Sequence, residues 1–199
     1  MYYALLIYPT VDEVLVGQIR REHDPTVDVV RPHMPVVFPV PESVGRDSLI
    51  AHIQSVTADY RPFEIVLGGF FRSPDHWLFL TLAHGNDSVR RLYRLLHTGL
   101  LAEFRVADEE FMPHVGLGLF LREGATYDWK NAREEDFDAG RYEAALRDAQ
   151  RLLTGSVERI GTLHLVAIPD EVVEWSSGER SAFSRDLRAA DVQAFRIGA

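Results

Sequence analysis

Two histidine-containing stretches with alternating apolar residues constrain the fold of this chain more than any other feature of its sequence. Residues 31–40 read RPHMPVVFPV, and residues 111–121 read FMPHVGLGLFL. Because successive side chains of a strand point to opposite faces, each stretch can bury one apolar face while the other face carries a histidine. These histidines are His33 and His114. The pattern predicts two β-strands that each present an imidazole next to a hydrophobic core.

The two faces of each predicted strand differ in character. The face of His114 also carries Gly116 and Gly118, so we expect open space beside the imidazole, and the face of His33 also carries Pro35. A single histidine in a strand is more often structural than catalytic, but the matching contexts of these two favour a function. The apolar positions of the opposite faces are Met34, Val36, Phe38 and Val40 in one strand and Val115, Leu117, Leu119 and Leu121 in the other.

Secondary structure is predicted to recur in the same order in two halves of the chain. Each half reads as strand, helix, histidine strand, helix, strand, and the halves cover residues 1–72 and 75–168, followed by a C-terminal extension, 169–199. The similarity is one of pattern, since no residue-level repeat accompanies it. If the pattern reflects a duplication, a pseudo-twofold arrangement would bring the two histidine strands face to face across one cleft. We therefore expect a single bilobal domain over residues 1–199.

Composition excludes several classes of protein. The chain has no cysteine, which rules out disulfides and thiolate metal sites. Its formal net charge of −9 argues against broad binding to duplex DNA but leaves room for a small positive pocket that takes one phosphate. No apolar run approaches the roughly 20 residues that span a bilayer, and no leader-like segment opens the chain. We expect a cytoplasmic monomer with no membrane partner.

The histidine strands also resemble a known family. The segments HMPVVFPV and PHVGLGLF, the opening MYYALLIYP and the segment FEIVLGGFF…HWLFLTLAH resemble the two-histidine (2H) phosphoesterase superfamily, in particular its 2′-5′ RNA ligase-like branch. The resemblance implies an α+β fold of two lobes, each an antiparallel sheet with outer helices, and an active cleft between them. It implies that His33 and His114 act on a 2′,3′-cyclic phosphate or a 2′-5′ linkage of an RNA end or nucleotide, without metal or cofactor. The reverse reaction would join a cyclic phosphate end to a 5′-hydroxyl.

Both motifs depart from the family pattern, His-x-Thr/Ser-x. Pro35 and Gly116 stand where the family has a hydroxyl, two residues after each histidine and therefore on the same strand face. A hydrogen bond to a charged group contributes roughly 1.5–3 kcal/mol, so losing two in the transition state lowers the rate by about 10²–10⁴. Weak or altered activity is therefore expected, and the space at Gly116 and Gly118 suits a bulkier ligand.

Other side chains are candidates for holding the substrate. Arg31, Arg72 and Arg122 lie near the ends of the predicted strands, and arginine forms paired hydrogen bonds to phosphate. Tyr3 or Phe120 could stack on a base, although core packing is the more common use of such residues. His164 alternates with leucines and could point into the same cleft, although a core or surface position is the favoured interpretation.

Two alternative functions stay open. One is a catalytically impaired module that binds an RNA end or nucleotide in the same cleft, which the missing hydroxyls favour. The other is a histidine metal site that recruits Asp75 and His76, because a catalytic zinc needs three protein ligands. No GxxxxGK[ST] sequence is present, so ATP-dependent chemistry is not expected.

Overall fold

The computed structural model describes residues 1–107, 110–152, 155–176, 182–184 and 186–198. No helix within these ranges has the length and apolar character to cross a membrane. In chain order the strands and α-helices are β1 (Tyr2–Ile7), α1 (Glu13–His23), β2 (Met34–Pro41), α2 (Arg46–Ala58), β3 (Phe63–Arg72), β4 (Trp77–His84), α3 (Asn86–Leu96), β5 (His114–Leu119), α4 (Ala139–Ala149), β6 (Val157–Ile160), β7 (Thr162–Ile168), α5 (Asp170–Ser176) and β8 (Ala190–Arg196).

The strands form two four-stranded sheets whose paired strands are all antiparallel. The first sheet has the order β2-β1-β7-β8 and the second has the order β5-β4-β3-β6. Each histidine strand, β2 or β5, is therefore an edge strand of its sheet. Proline lacks a backbone N–H and is tolerated mainly at sheet edges, so the prolines of β2 fit this position. This two-lobed α+β architecture confirms the predicted fold class.

The two sheets do not correspond to the two predicted halves of the chain, because each half contributes strands to both sheets. β3 belongs to the first half, residues 1–72, but pairs with β4 and β6 in the second sheet. β7 belongs to the second half, residues 75–168, but pairs with β1 and β8 in the first sheet. The first half thus contributes two strands to the first sheet and one to the second, whereas the second half contributes three strands, β4, β5 and β6, to the second sheet and β7 to the first. The periodicity of a sequence predicts strands but carries no information about their pairing partners.

One large hydrophobic core joins the two sheets and the helices. It contains Leu5 and Ile7 of β1 together with Leu78 and Leu80 of β4, all of them at most 2% exposed. The amphipathic helix α3 buries Val89, Leu92 and Leu96 in the same core. The core therefore fixes the two sheets, and with them the two histidine strands, relative to each other.

Two helix boundaries differ from those that the sequence predicts. The spacing of Thr10 and Glu13 predicts a capping box that begins at Thr10, but α1 is capped by Asp12, whose carboxylate accepts hydrogen bonds from the amides of Val14 and Leu15. The apolar pattern predicts a helix that runs to about residue 104, but α3 ends at Leu96, and a 3₁₀ helix follows over Gly99–Phe104. The sequence also predicts a helix from about Gly140 to Leu153, and Leu153 lies outside the described residues.

Candidate active site

His33 and His114 occupy matching positions in the two edge strands and make the same hydrogen bond. His33 directly precedes β2, and His114 is the first residue of β5. Nδ1 of His33 lies 2.9 Å from the carbonyl oxygen of Arg31, and Nδ1 of His114 lies 2.7 Å from that of Met112. Because a carbonyl oxygen only accepts, Nδ1 carries the proton, and Nε2 of the neutral ring keeps a lone pair. Neither Nε2 has a hydrogen-bond partner among the described residues.

The fold brings the two imidazoles into one region. The edge strands β2 and β5 are in contact although they belong to different sheets. A positive charge on His114 lowers the pKa of His33, so the rings lie within electrostatic range of each other. Both side chains are half-buried. Two accessible imidazoles from distant regions of the chain therefore flank the boundary between the sheets.

Burial lowers the pKa of both imidazoles, and neighbouring charges modify this effect. Burial lowers the pKa of His33 to about 4, and the guanidinium of Arg20 adds to this effect while Asp24 opposes it. Burial also lowers the pKa of His114, and here the carboxylate of Asp75 opposes the shift. Both rings are therefore neutral near pH 7 in the ligand-free protein.

His33 shares one face of the first sheet with Pro35, Tyr8 and His164. Leu6 pairs directly with Pro35 on one side and with His164 on the other, so these side chains point to the same face. His33 and Tyr8 lie two residues from Pro35 and Leu6 and therefore follow them onto this face. The opposite face belongs to the main core. His164, for which the sequence favours a core or surface position, is half-buried and lies on the same sheet face as His33.

Aromatic residues flank His114 on the second sheet. The Phe79 ring stacks on the imidazole with the ring centroids 3.6 Å apart and the planes inclined by 19°. Phe79 pairs with Gly116, and a Cβ atom added at Gly116 would meet only the Trp77 ring, at 3.8 Å. The space predicted beside His114 is therefore present at Gly116, next to an aromatic wall. Sequence reasoning missed Phe79 and Trp77, although both lie on one face of the alternating segment WLFLTL.

A hydrogen-bonded chain leads from this wall to an acidic residue. The Trp77 indole N–H donates to the Tyr127 hydroxyl at 3.2 Å, and that hydroxyl donates to the Asp75 carboxylate at 2.6 Å. Burial and the Asp75 charge raise the pKa of Tyr127, which keeps this donor protonated. Asp75 also raises the pKa of His114, so the chain ends within electrostatic range of the imidazole.

The space expected at Gly118 is filled. A Cβ atom there would lie 2.5 Å from the Cβ atom of His23 in α1. A register shift in the pairing of β4 with β5, between Leu78 and Phe79, interrupts the alternation that placed Gly118 beside His114. Gly118 is therefore a close-packing position under a helix rather than a member of an open site.

The three predicted arginines have different surroundings. Arg31 is exposed, and its guanidinium carbon lies 3.7 Å from the centroid of the Tyr8 ring. Arg72 donates from two nitrogens to Glu134, both at 2.9 Å, so its paired donors are already engaged. Arg122 donates from Nε to the carbonyl oxygen of Phe137 at 3.0 Å. Of the three, Arg31 is the one whose backbone bonds to a predicted catalytic histidine.

Two other sequence suggestions need correction. Tyr3 and Phe120 are 6% and 0% exposed, so both rings are in the core and neither has a face open to a base. His76 is buried, and its Nε2 lies 3.0 Å from the carbonyl oxygen of Arg133. Within the described residues no three His, Cys, Asp or Glu side chains are grouped closely enough to hold a metal ion.

Comparisons with known proteins agree with this architecture. A family model described as the 2′-5′ RNA ligase superfamily matches residues 8–154. Among solved structures, Escherichia coli LigT complexed with 3′-AMP superposes with a TM-score of 0.58 at 12% identity, and TT0787 of Thermus thermophilus with a TM-score of 0.59 at 14% identity. Each alignment covers 100% of this chain and 98% of the other chain. A search of curated proteins finds no match. At these identities the structural likeness establishes the fold alone.

Proposed function

This chain belongs to the 2′-5′ RNA ligase superfamily, and we propose that it is a phosphoesterase that uses His33 and His114 as an acid–base pair. The proposed substrate is a 2′,3′-cyclic phosphate or a 2′-5′ phosphodiester at an RNA end or in a nucleotide. A neighbour of the same fold is LigT complexed with 3′-AMP, which supports a nucleotide-like substrate here.

The identical anchoring of the two imidazoles carries this proposal. Each ring donates from Nδ1 to the carbonyl two residues earlier, at 2.9 Å for His33 and 2.7 Å for His114. This bond fixes the ring orientation and leaves Nε2 as the reactive atom, which can accept a proton or, once protonated, donate one. The two rings are held by the same hydrogen bond and lie on neighbouring edge strands. This arrangement suits a reaction that needs one proton acceptor and one proton donor.

We assign His33 as the base and His114 as the acid. Burial, to which the positive Arg20 adds, lowers the pKa of His33 to about 4 and keeps this ring neutral, whereas the negative Asp75 opposes the effect of burial on the pKa of His114 and so favours a proton there. A bound phosphate anion raises the pKa of an adjacent imidazole, so His114 gains its proton when substrate binds. In hydrolysis of a cyclic phosphate, Nε2 of His33 takes a proton from water and the water oxygen bonds to phosphorus. The ring P–O bond breaks, and Nε2–H of His114 protonates the leaving oxygen to give a phosphomonoester.

Pro35 and Gly116 support the alternative, a nucleotide-binding module with little catalysis. Neither residue supplies the hydroxyl that would hold a developing negative charge, and Pro35 also lacks a backbone N–H. Catalysis would then depend on the imidazoles alone, each of which typically contributes about 10²–10⁴-fold. Because the two imidazoles are still present, we expect slow turnover rather than complete inactivity.

Turnover assays with matched variants distinguish the two functions. We would offer 2′,3′-cyclic AMP and 2′-5′ linked diadenosine to the wild type, His33→Ala and His114→Ala, with and without a chelator. His84→Ala serves as the control, because His84 is an exposed histidine at the end of β4. We expect turnover that persists with the chelator, is lost in both site variants and is retained in the control. Nucleotide binding without turnover in the wild type would favour the binding module, and loss of activity with the chelator would favour a metal site.

A further inference from the structure

Three polar side chains form a cluster beside His33 that the proposed acid–base chemistry does not use. The guanidinium of Arg31 lies over the Tyr8 ring, 3.7 Å from its centroid. The His164 ring meets the same tyrosine edge-on, with the centroids 4.9 Å apart. Tyr8 and His164 are half-buried and Arg31 is exposed. We call these three residues the Tyr8 cluster.

The polar groups of the Tyr8 cluster are available to a ligand. Among the residues that the structure describes, no carboxylate forms an ion pair with Arg31, and no hydrogen bond occupies the ring nitrogens of His164. Burial raises the pKa of Tyr8, and a hydrogen bond from Arg31 to its hydroxyl lowers it by less, so the hydroxyl keeps its proton at neutral pH. The guanidinium of Arg31 has five N–H donors, so this bond leaves donors free for a ligand. Guanidinium, phenol and imidazole can all donate hydrogen bonds to an anion. The three groups thus converge as donors on the face of the sheet that also carries His33.

The Tyr8 cluster adjoins the proposed reaction centre without coinciding with it. The carbonyl oxygen of Arg31 accepts the hydrogen bond from Nδ1 of His33. Tyr8 continues β1, and His164 lies in β7 on its far side, two strand spacings or about 10 Å from β2. A phosphate held between His33 and His114 lies toward β5, whereas His164 lies in the opposite direction from β2. A ligand that reaches both positions therefore places a second group at the Tyr8 cluster, and the hydrogen-bond donors there suit an anionic group.

We propose that the Tyr8 cluster is a subsite for a second phosphate of the substrate. This inference rests on the proposed function, because it takes the phosphate between His33 and His114 as the first. The second phosphate has two possible sources: the phosphodiester of the adjoining nucleotide in an RNA strand, or a 5′-phosphate on the reacting nucleotide itself. In either case the protein prefers substrates with two phosphates over a nucleoside that carries only one.

Removing the charge of Asp191 is expected to have the opposite effect on phosphate binding from removing the charge of Arg31. Its exposed carboxylate acts electrostatically on both Tyr8 and His164 and would repel a phosphate bound between them. Removing the Arg31 charge should therefore weaken the preference for a second phosphate, whereas removing the Asp191 charge should strengthen it. If Arg31 and Asp191 had only structural roles, the two variants would not change the preference for a second phosphate in opposite directions.

Equilibrium titration calorimetry can measure this preference without turnover. The probes are adenosine 3′-monophosphate, adenosine 3′,5′-bisphosphate and the dinucleotide ApAp with a 3′-terminal phosphate. We expect the wild type to bind at least one two-phosphate probe about tenfold more tightly than the monophosphate. The ratio should fall to near one in Arg31→Gln and His164→Gln and rise in Asp191→Asn. Arg147→Gln, on the exposed side of α4, is the matched control and should keep the wild-type ratio.

The three probes also show which group supplies the second phosphate, and they test the subsite separately from catalysis. A gain with ApAp alone identifies the adjoining nucleotide, and a gain with the bisphosphate identifies the 5′-phosphate. Equal affinity of the wild type for all three probes would overturn the subsite, as would the same ratio in Arg31→Gln and Asp191→Asn. A chain without turnover that still shows the opposed ratios would refute catalysis while supporting the subsite.

Discussion

Restoring a hydroxyl at Gly116 tests whether its absence limits the rate. Gly116→Thr places a hydroxyl two residues after His114, on the same face of β5. A Cβ atom at this position meets only the Trp77 ring, with nearest atoms at 3.8 and 3.9 Å, which is ordinary van der Waals contact. The added hydroxyl can therefore reach a phosphate held by His114 without displacing the backbone.

The expected gain follows from the strength of one charge-assisted hydrogen bond. Such a bond contributes roughly 1.5–3 kcal/mol, which corresponds to about 10–100-fold in kcat/KM if it forms in the transition state. The assay is hydrolysis of 2′,3′-cyclic AMP by purified wild type and variant under identical conditions. Gly116→Val is the control, because valine has nearly the shape of threonine but lacks the hydroxyl.

Comparison of the two variants decides the outcome. We expect Gly116→Thr to exceed the wild type while Gly116→Val stays at or below it, with melting temperatures that agree between the variants. An equal gain in both variants would show that filling the space, rather than supplying a donor, sets the rate. A folded threonine variant with no gain would contradict the view that the missing hydroxyl limits this protein.

Two further predictions concern pH and packing. The kcat/KM profile should be bell-shaped, with its acidic limb near pH 4, where the base His33 gains a proton, and its alkaline limb below 6.5, where the acid His114 loses one. Asp75→Asn should move the alkaline limb to lower pH, and an unmoved limb would contradict the assignment of the acid. Gly118→Ala should destabilise the fold by about 1–3 kcal/mol, because its Cβ would lie 2.5 Å from that of His23. Urea denaturation measures this loss, and wild-type stability would refute the close packing.

The alternation of apolar residues predicted the positions of the two histidine strands well, but it did not predict the register shifts within them. β2 begins one residue after His33, and β5 begins at His114. The pairing of β1 with β2 contains two register shifts, and Phe38, predicted on the apolar face, is 37% exposed. A bulge inserts a residue into one strand and reverses the faces beyond it. Because bulges depend on the partner strand, the period of a single sequence does not report them.

Long-range contacts of the site were also beyond the reach of the sequence pattern. Tyr127 lies in the acidic segment 123–138, whose composition predicts a loop, yet its hydroxyl joins Trp77 to Asp75. Arg72 lies at a strand end, as expected for a phosphate ligand, yet Glu134 occupies both of its donors. Residue type and local position suggest what a side chain can bind. Only the fold decides which partner reaches it first.

The exchange of one strand between the two halves of the chain explains how the site is held in place. The strand order β2-β1-β7 in one sheet corresponds to β5-β4-β3 in the other, so the last strand of each half completes the sheet of the other half. Two lobes joined by a single linker could open and change the distance between His33 and His114. Here each half of the chain passes through both sheets, and residues of β1 and β4 share one core. The fold therefore holds the two edge strands in a fixed relation, as the proposed acid–base catalysis by two separate imidazoles requires.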